Sequence, residues 1–162
     1  MAQRPTDPCP TRGRTAVLFR DLFTVLRDDP AWARLTRGDD GLSLHVVFTQ
    51  PDLALYVDRD GVLLDEVPRP PRVRLAHRTQ DAHALWSGRL PFAAALGSGR
   101  LTVEGRLPEV LELVLVLPTV RAVYAALSAR DDAPRPEADG PDRPHRADRP
   151  DRADPAARRL QP

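Results

Sequence analysis

The side chains best suited to chemistry in this chain are four histidines, one cysteine and a scatter of carboxylates. A metal site asks for ligands at short, regular spacing, and His45, His77, His83 and His145 show no such pairing, so no metal ion is expected. His45 draws most interest because it falls on a strand pattern, on the face opposite Leu44 and Val46. A solvated or structurally satisfied imidazole is the commoner outcome there. Nucleophilic catalysis by serine needs a strand-to-helix elbow, and no G-x-S-x-G occurs; Ser98 stands between Gly97 and Gly99 but precedes a strand. For the same reason the glycine pair offers no helix start to receive a phosphate. Asp58-Arg59-Asp60-Gly61 opens like a calcium loop but lacks the closing glutamate, and reads as a hairpin turn. Asp65, Glu66 and Glu104 lie on strand patterns without forming a paired constellation. Cys9, between Pro8 and Pro10, excludes an intramolecular disulfide and suits an incidental thiol. These residues define no catalytic centre.

Composition narrows the classes further. Net charge is +1, every basic residue is Arg, and acids rise in step with them. Neither the tail nor the rest is a basic patch, so nucleic acid is a poor partner. From Asp131 to Pro162 the chain holds seven of its 18 prolines and almost nothing that could be buried. Such a segment cannot offset its ordering entropy, and residues 129–162 are expected to be a disordered Pro/Arg/Asp/Ala-rich tail. Residues 1–14 read as a flexible lead-in. One domain, residues 15–128, remains. The N-terminus lacks the apolar core of a signal peptide, and the longest apolar run, Val110 to Leu117, contains Glu112 and is too short for a bilayer. A soluble cytoplasmic protein without stable membrane insertion is the expectation.

The elements that position these side chains follow from periodicity. Val17, Leu18, Leu22, Phe23, Val25 and Leu26 recur at helical spacing from Thr15 to Leu26. Pro30 stops that helix, and Ala31 to Leu35 can form a further turn with Asp29 as N-cap and Pro30 at the first helical position. The period then becomes two: Leu42, Leu44, Val46 and Phe48, next Leu53, Leu55 and Val57, then Val62 to Val67, then Val73 and Leu75 against Arg72, Arg74 and Ala76. Thr79 can cap a helix from Gln80 to Trp86 that ends at Gly88. A short helix from Pro91 to Leu96, a strand through Leu101 and Val103, and an apolar helix opened by Pro108 follow. Pro118 should kink that last helix or divide it into Pro108–Leu117 and Thr119–Leu127. Together these give an α+β fold with helices on one face of the sheet.

Large apolar side chains are abundant for so small a domain, and by composition alone a close-packed core accounts for them. The order of motifs from Pro71 to Gly105 adds something. Val73 to Thr79, Asp81 to Ser87, Gly88-Arg89-Leu90, Phe92 to Leu96 and Gly99-Arg100-Leu101-Thr102-Val103-Glu104-Gly105 together resemble the sterol carrier protein type two family, and the upstream meander and leading helix keep its order. The resemblance implies a five-stranded, mostly antiparallel sheet with helices covering one face and an apolar cavity, without catalysis or cofactor. It implies a ligand such as a fatty acyl chain or sterol. The candidate lining is Phe19 and Phe23 of the first helix, Phe48 of the first strand, Leu85 and Trp86, Phe92 and Leu96, and Leu113, Leu117 and Tyr124 of the last helix. Leu90-Pro91-Phe92-Ala93 departs from the more polar junction of the family and could alter the cavity mouth. The alternative is an accessory domain whose apolar C-terminal helix docks on a partner enzyme or a second copy. A small enzyme using His45 or Glu104 as a base on an apolar substrate is the third reading.

Overall fold

The structure, a computed structural model, describes residues 11–131. Helix α1 spans Arg12–Leu26 and opens ahead of the expected Thr15, because the Thr11 side chain accepts the Arg14 N–H at 3.3 Å and so caps it. Thr15, Phe19, Leu22, Phe23 and Leu26 form its buried side. Helix α2, Pro30–Leu35, starts as its sequence demands: the Asp29 carboxylate accepts the N–H groups of Ala31 and Trp32 at 2.9 and 3.1 Å, with Pro30 in the first turn. Gly41 follows where nothing larger fits, since a Cβ there would lie 2.2 Å from the Thr36 carbonyl oxygen.

Strands β1 (Leu44–Thr49), β2 (Leu53–Val57), β3 (Val62–Leu64), β4 (Val73–Arg78) and β5 (Leu101–Gly105) form one sheet in the order β3-β2-β1-β4-β5. β1 and β4 run parallel and the other three pairs are antiparallel. Leu44, Val46 and Phe48 stand beside Val57, Leu55 and Leu53 on one flank and beside Val73, Leu75 and His77 on the other. One face of the sheet is therefore apolar in rows, and His77 is the exception within it. The Asp58 carboxylate closes the β2–β3 turn by accepting the N–H groups of Asp60 and Gly61 at 2.8 and 3.2 Å, so this segment is the hairpin turn its sequence suggests. β3 is shorter than the expected Val62–Val67, because Asp65 takes a positive φ of 56° and its carboxylate accepts the Ala54 N–H at 3.0 Å. That contact turns the chain out of the sheet.

Helices α3 (Thr79–Trp86), α4 (Phe92–Gly97) and α5 (Leu107–Asp131) complete the fold. Two expectations are corrected here. Thr79 is not the cap of α3 but its first residue; Arg78 holds the N-cap position without a capping side chain, and the Thr79 hydroxyl donates to the Thr49 carbonyl at 3.3 Å. And Pro118 does not divide the last helix, which is continuous from Leu107 to Asp131. Pro118 lies on the exposed side, where water can serve the carbonyl it leaves free, while Leu113, Val116 and Leu117 before it and Val120 and Tyr124 after it are buried in the same core. α1 and α3 both pack on α5, and the buried sides of the three helices join the apolar sheet face in a single core. The helices thus cover one face of a mostly antiparallel sheet. Residues 1–10 and 132–162, which hold Cys9, His145 and most of the expected lead-in and tail, lie outside the described residues; α1 and α5 reach into the expected spans as far as Arg12 and Asp131.

Candidate functional site

Between sheet and helices the candidate lining residues come together as a cluster of rings. Phe19 is at its centre, 4.7 Å from Phe48, 5.9 Å from Tyr124 and 6.4 Å from Trp86 between ring centroids. Phe23 joins Trp86 at 6.3 Å to Trp32 at 5.7 Å. Leu85, Leu113 and Leu117 are buried in the same core. Tilted and edge-on ring pairs at these separations each add a fraction of a kcal/mol to about 1.5 kcal/mol beyond their area burial. Phe92 is half-buried and packs against the cluster from α4. Leu96 does not join it: the side chain is 39% exposed, and Ala95 takes the inward position of α4. Trp32, from the short helix α2, joins it as well. Phe48, Trp86 and Tyr124 thus close around Phe19 between the sheet and the helices.

Polar atoms are set into this interior. His83 and Tyr124 share a hydrogen bond between Nδ1 and Oη that ties α3 to α5. Burial, followed by the charges of Arg89 and Arg14, holds the His83 imidazole below the usual histidine range. His77 lies edge-on to Phe48 at 4.9 Å, is 5% exposed, and has its pKa pushed down to about 4, chiefly by burial. Neither of its ring nitrogens, nor the indole N–H of Trp32 or Trp86, nor His83 Nε2, has a hydrogen-bond partner among the described residues.

Among the described residues, a pair of clefts that open to the surface is lined mostly by polar side chains. The first, of about 210 Å³, lies between the α2–β1 loop and the segment after β3, with Thr36, Ser43, Asp58, Arg59, Arg69 and Arg72 on its walls. Burial works against the charged form of Asp58. Donation from the Asp60 and Gly61 amides and from Arg69, 2.6 Å away, outweighs it and holds the carboxyl below its usual range. The second cleft, of about 510 Å³, lies where β4 meets α3 and α4 meets β5. The acid–base candidates from the sequence are in neither. His45 and Glu104 both flank Arg74 on the outer face of the sheet, and Glu104 accepts from Arg74 at 2.7 Å. Burial, then Arg74, lowers the His45 pKa against the opposing pull of Glu104. Among the described residues no group of three or more His, Cys, Asp or Glu side chains could hold a metal.

α5 presents a second apolar side. Leu107, Leu111 and Leu115, one helical turn apart, are 68%, 53% and 79% exposed. Because the helix continues through Pro118, it is long and apolar enough to cross a membrane by length and composition, a length that the run from Val110 to Leu117 did not suggest. Its other side is nevertheless embedded in the domain core.

No family model matches the sequence, and no curated protein matches it. Solved structures do. The chain is similar to sterol carrier protein domain 2 of Helicoverpa armigera, with 14% identity and a TM-score of 0.57 over 74% of this chain and 96% of that one. It is also similar to UbiJ-SCP2, a ubiquinone synthesis protein, with 22% identity and a TM-score of 0.48 over 65% of this chain and 94% of that one. Sterol carrier protein 2 from Yarrowia lipolytica, in its apo form, matches with 11% identity and a TM-score of 0.48 over 73% and 95%. The fold is therefore that of a sterol carrier protein type two domain, as the motif order from Pro71 to Gly105 implies.

Proposed function

We propose that this domain is a non-catalytic binding module for a lipid or other apolar small molecule, held between the sheet and helices α1, α3 and α5. The carrying observation is the enclosed aromatic interior, Phe19 with Phe48, Trp86 and Tyr124, closed by a helix that is apolar on both of its sides. A helix with a strongly polar outer side is held in one orientation by its amphipathicity; α5 has no such constraint along Leu107, Leu111 and Leu115. Turning or lifting it to admit an apolar ligand exchanges one leucine-rich side for another. Ligand area buried against the rings then offsets the packing that is lost. The sterol carrier fold supports the same reading, because the solved domain it resembles is named for carrying sterol. The absence of catalysis in this proposal draws support from the placing of His45 and Glu104 on the outer face, Glu104 engaged by Arg74. Native mass spectrometry of the purified full chain, followed by displacement of a fluorescent fatty acid, tests it. A copurifying apolar mass and saturable displacement support the proposal; a clean apo mass with no displacement sinks it.

A second reading rests on the exposed stripe of α5. In it the stripe is a docking surface for a partner protein or a second copy, and the interior stays filled by its own side chains. Sedimentation of the parent and of Leu111→Asp and Leu115→Asp variants separates the two. A concentration-dependent dimer abolished by these changes favours docking, whereas a monomer with bound lipid favours the cavity.

A further inference from the structure

The outer side of α5 is ordered by size as well as by polarity. Leu111, Leu115, Pro118, Ala122, Ala125 and Ala129 recur along it every three or four residues, and all are exposed. Bulky side chains occupy the N-terminal half of this stripe and methyl groups the C-terminal half. No charged residue interrupts it. Because the sizes reverse from end to end, the stripe is complementary to itself only when a second copy runs the opposite way.

We propose that α5 is the interface of a twofold-symmetric dimer, in which the helices of two copies of this chain pair antiparallel. The proposal rests on the docking reading of the stripe and commits that surface to a second copy. With the twofold axis level with Val120, Leu111 of each copy meets Ala129 of the other, Leu115 meets Ala125, and Pro118 meets Ala122. Every layer then sets a bulky group against a methyl group. A parallel pair would set leucine on leucine at one end and alanine on alanine at the other, and the axes would splay. Val120 is also close to the midpoint of Leu107–Asp131, so the two helices overlap along nearly their whole length.

Charge and area agree with this register. Glu112 and Arg130 lie about five turns apart and therefore on one flank of α5. Both are exposed, and neither is ion-paired among the described residues. In the pair, Glu112 of one copy comes within about 3 Å, measured along the helix, of the level of Arg130 of the other. The twofold axis makes that match twice. The helix has 25 residues, so covering half the wall of a cylinder about 37 Å long and 10 Å wide in each copy buries on the order of 1,000 Å² in total, what a specific, reversible dimer needs. A lipid surface fits this side less well, because Ala122, Ala125 and Ala129 bring little apolar area to it and the flank carries acid as well as base. In a helix pair the same alanines let the axes approach to about 8 Å.

Sedimentation velocity of the full chain over about 5–500 µM tests the pairing. The parent should show a monomer–dimer equilibrium. Ala125→Leu sets leucine on leucine and should raise the dissociation constant at least about tenfold. Combining Leu115→Ala with Ala125→Leu in one chain restores a leucine–alanine layer, and should return the constant to within about threefold of the parent. The substituted positions are exposed, so the variants are expected to fold. A monomer at every concentration overturns the second copy but not docking on a different protein. A dimer that neither Ala125→Leu nor Leu115→Asp weakens lies off α5 and overturns both. A monomer that instead floats with phosphatidylcholine vesicles overturns the pairing in favour of a membrane contact.

Discussion

His77 should make the stability of the domain depend on pH in a calculable way. Its folded pKa is about 4 against 6.5 for an unperturbed histidine, with burial as the main cause. Between those values the unfolded chain binds a proton that the folded chain refuses, so the folded state loses stability as the pH falls. Going from pH 7 to pH 5, linkage gives a loss of about 2 kcal/mol from this residue, and the loss saturates near 3 kcal/mol below pH 4. His45 and His83, also lowered chiefly by burial, act with the same sign, so the parent protein alone does not isolate the effect. The His77→Phe variant does. Phenylalanine keeps a ring against Phe48 and removes two unpartnered nitrogens, so at pH 7 the variant should be within about 1 kcal/mol of the parent. Urea unfolding in an amine buffer free of carboxylate and phosphate, at pH 7 and pH 5, should show the variant losing about 2 kcal/mol less than the parent over that interval. Equal losses in the two proteins would refute the reasoning, since they would mean that the His77 imidazole is protonated as easily folded as unfolded.

The packing arguments make further expectations. Phe19→Ala removes the ring shared by Phe48, Trp86 and Tyr124 and should cost about 3–5 kcal/mol in chemical denaturation. Leu96→Ala, at the 39% exposed position, should cost no more than about 0.5 kcal/mol in the same assay. Asp29→Ala strips the cap that serves Ala31 and Trp32 and should cost about 1 kcal/mol, read by the shift of the denaturation midpoint.

The order of elements and the apolar face of the sheet could be read from the chain because they rest on local periodicity. Leu44, Val46 and Phe48 alternate with His45 and Val47 whatever the rest of the fold does, and Asp29-Pro30 makes its own helix start. What was missed depends on distant partners. The Thr79 hydroxyl is a good cap in isolation, but the parallel pairing of β1 and β4 places the Thr49 carbonyl within its reach. Pro118 breaks a helix in a peptide, yet buried residues on both sides of it hold α5 together. In a helix as short as α4, periodicity cannot choose between Ala95 and Leu96 for the inward position. His77 was visible in principle. Carrying the alternation of Val73 and Leu75 one step further puts it on the inner face, opposite to His45, which faces outward. The buried ring cluster from Phe19 to Tyr124 is legible as large apolar residues at helical and strand spacing.

The central claim, that the enclosed ring cluster receives an apolar molecule, is tested most directly by native mass spectrometry of the full chain as purified, with Trp32 and Trp86 fluorescence followed as a fatty acid is added. Both indoles are buried beside Phe23 and should report any ligand that enters. The expected result is a copurifying apolar mass and a saturable change in tryptophan emission. A clean apo mass with emission indifferent to the fatty acid would contradict it.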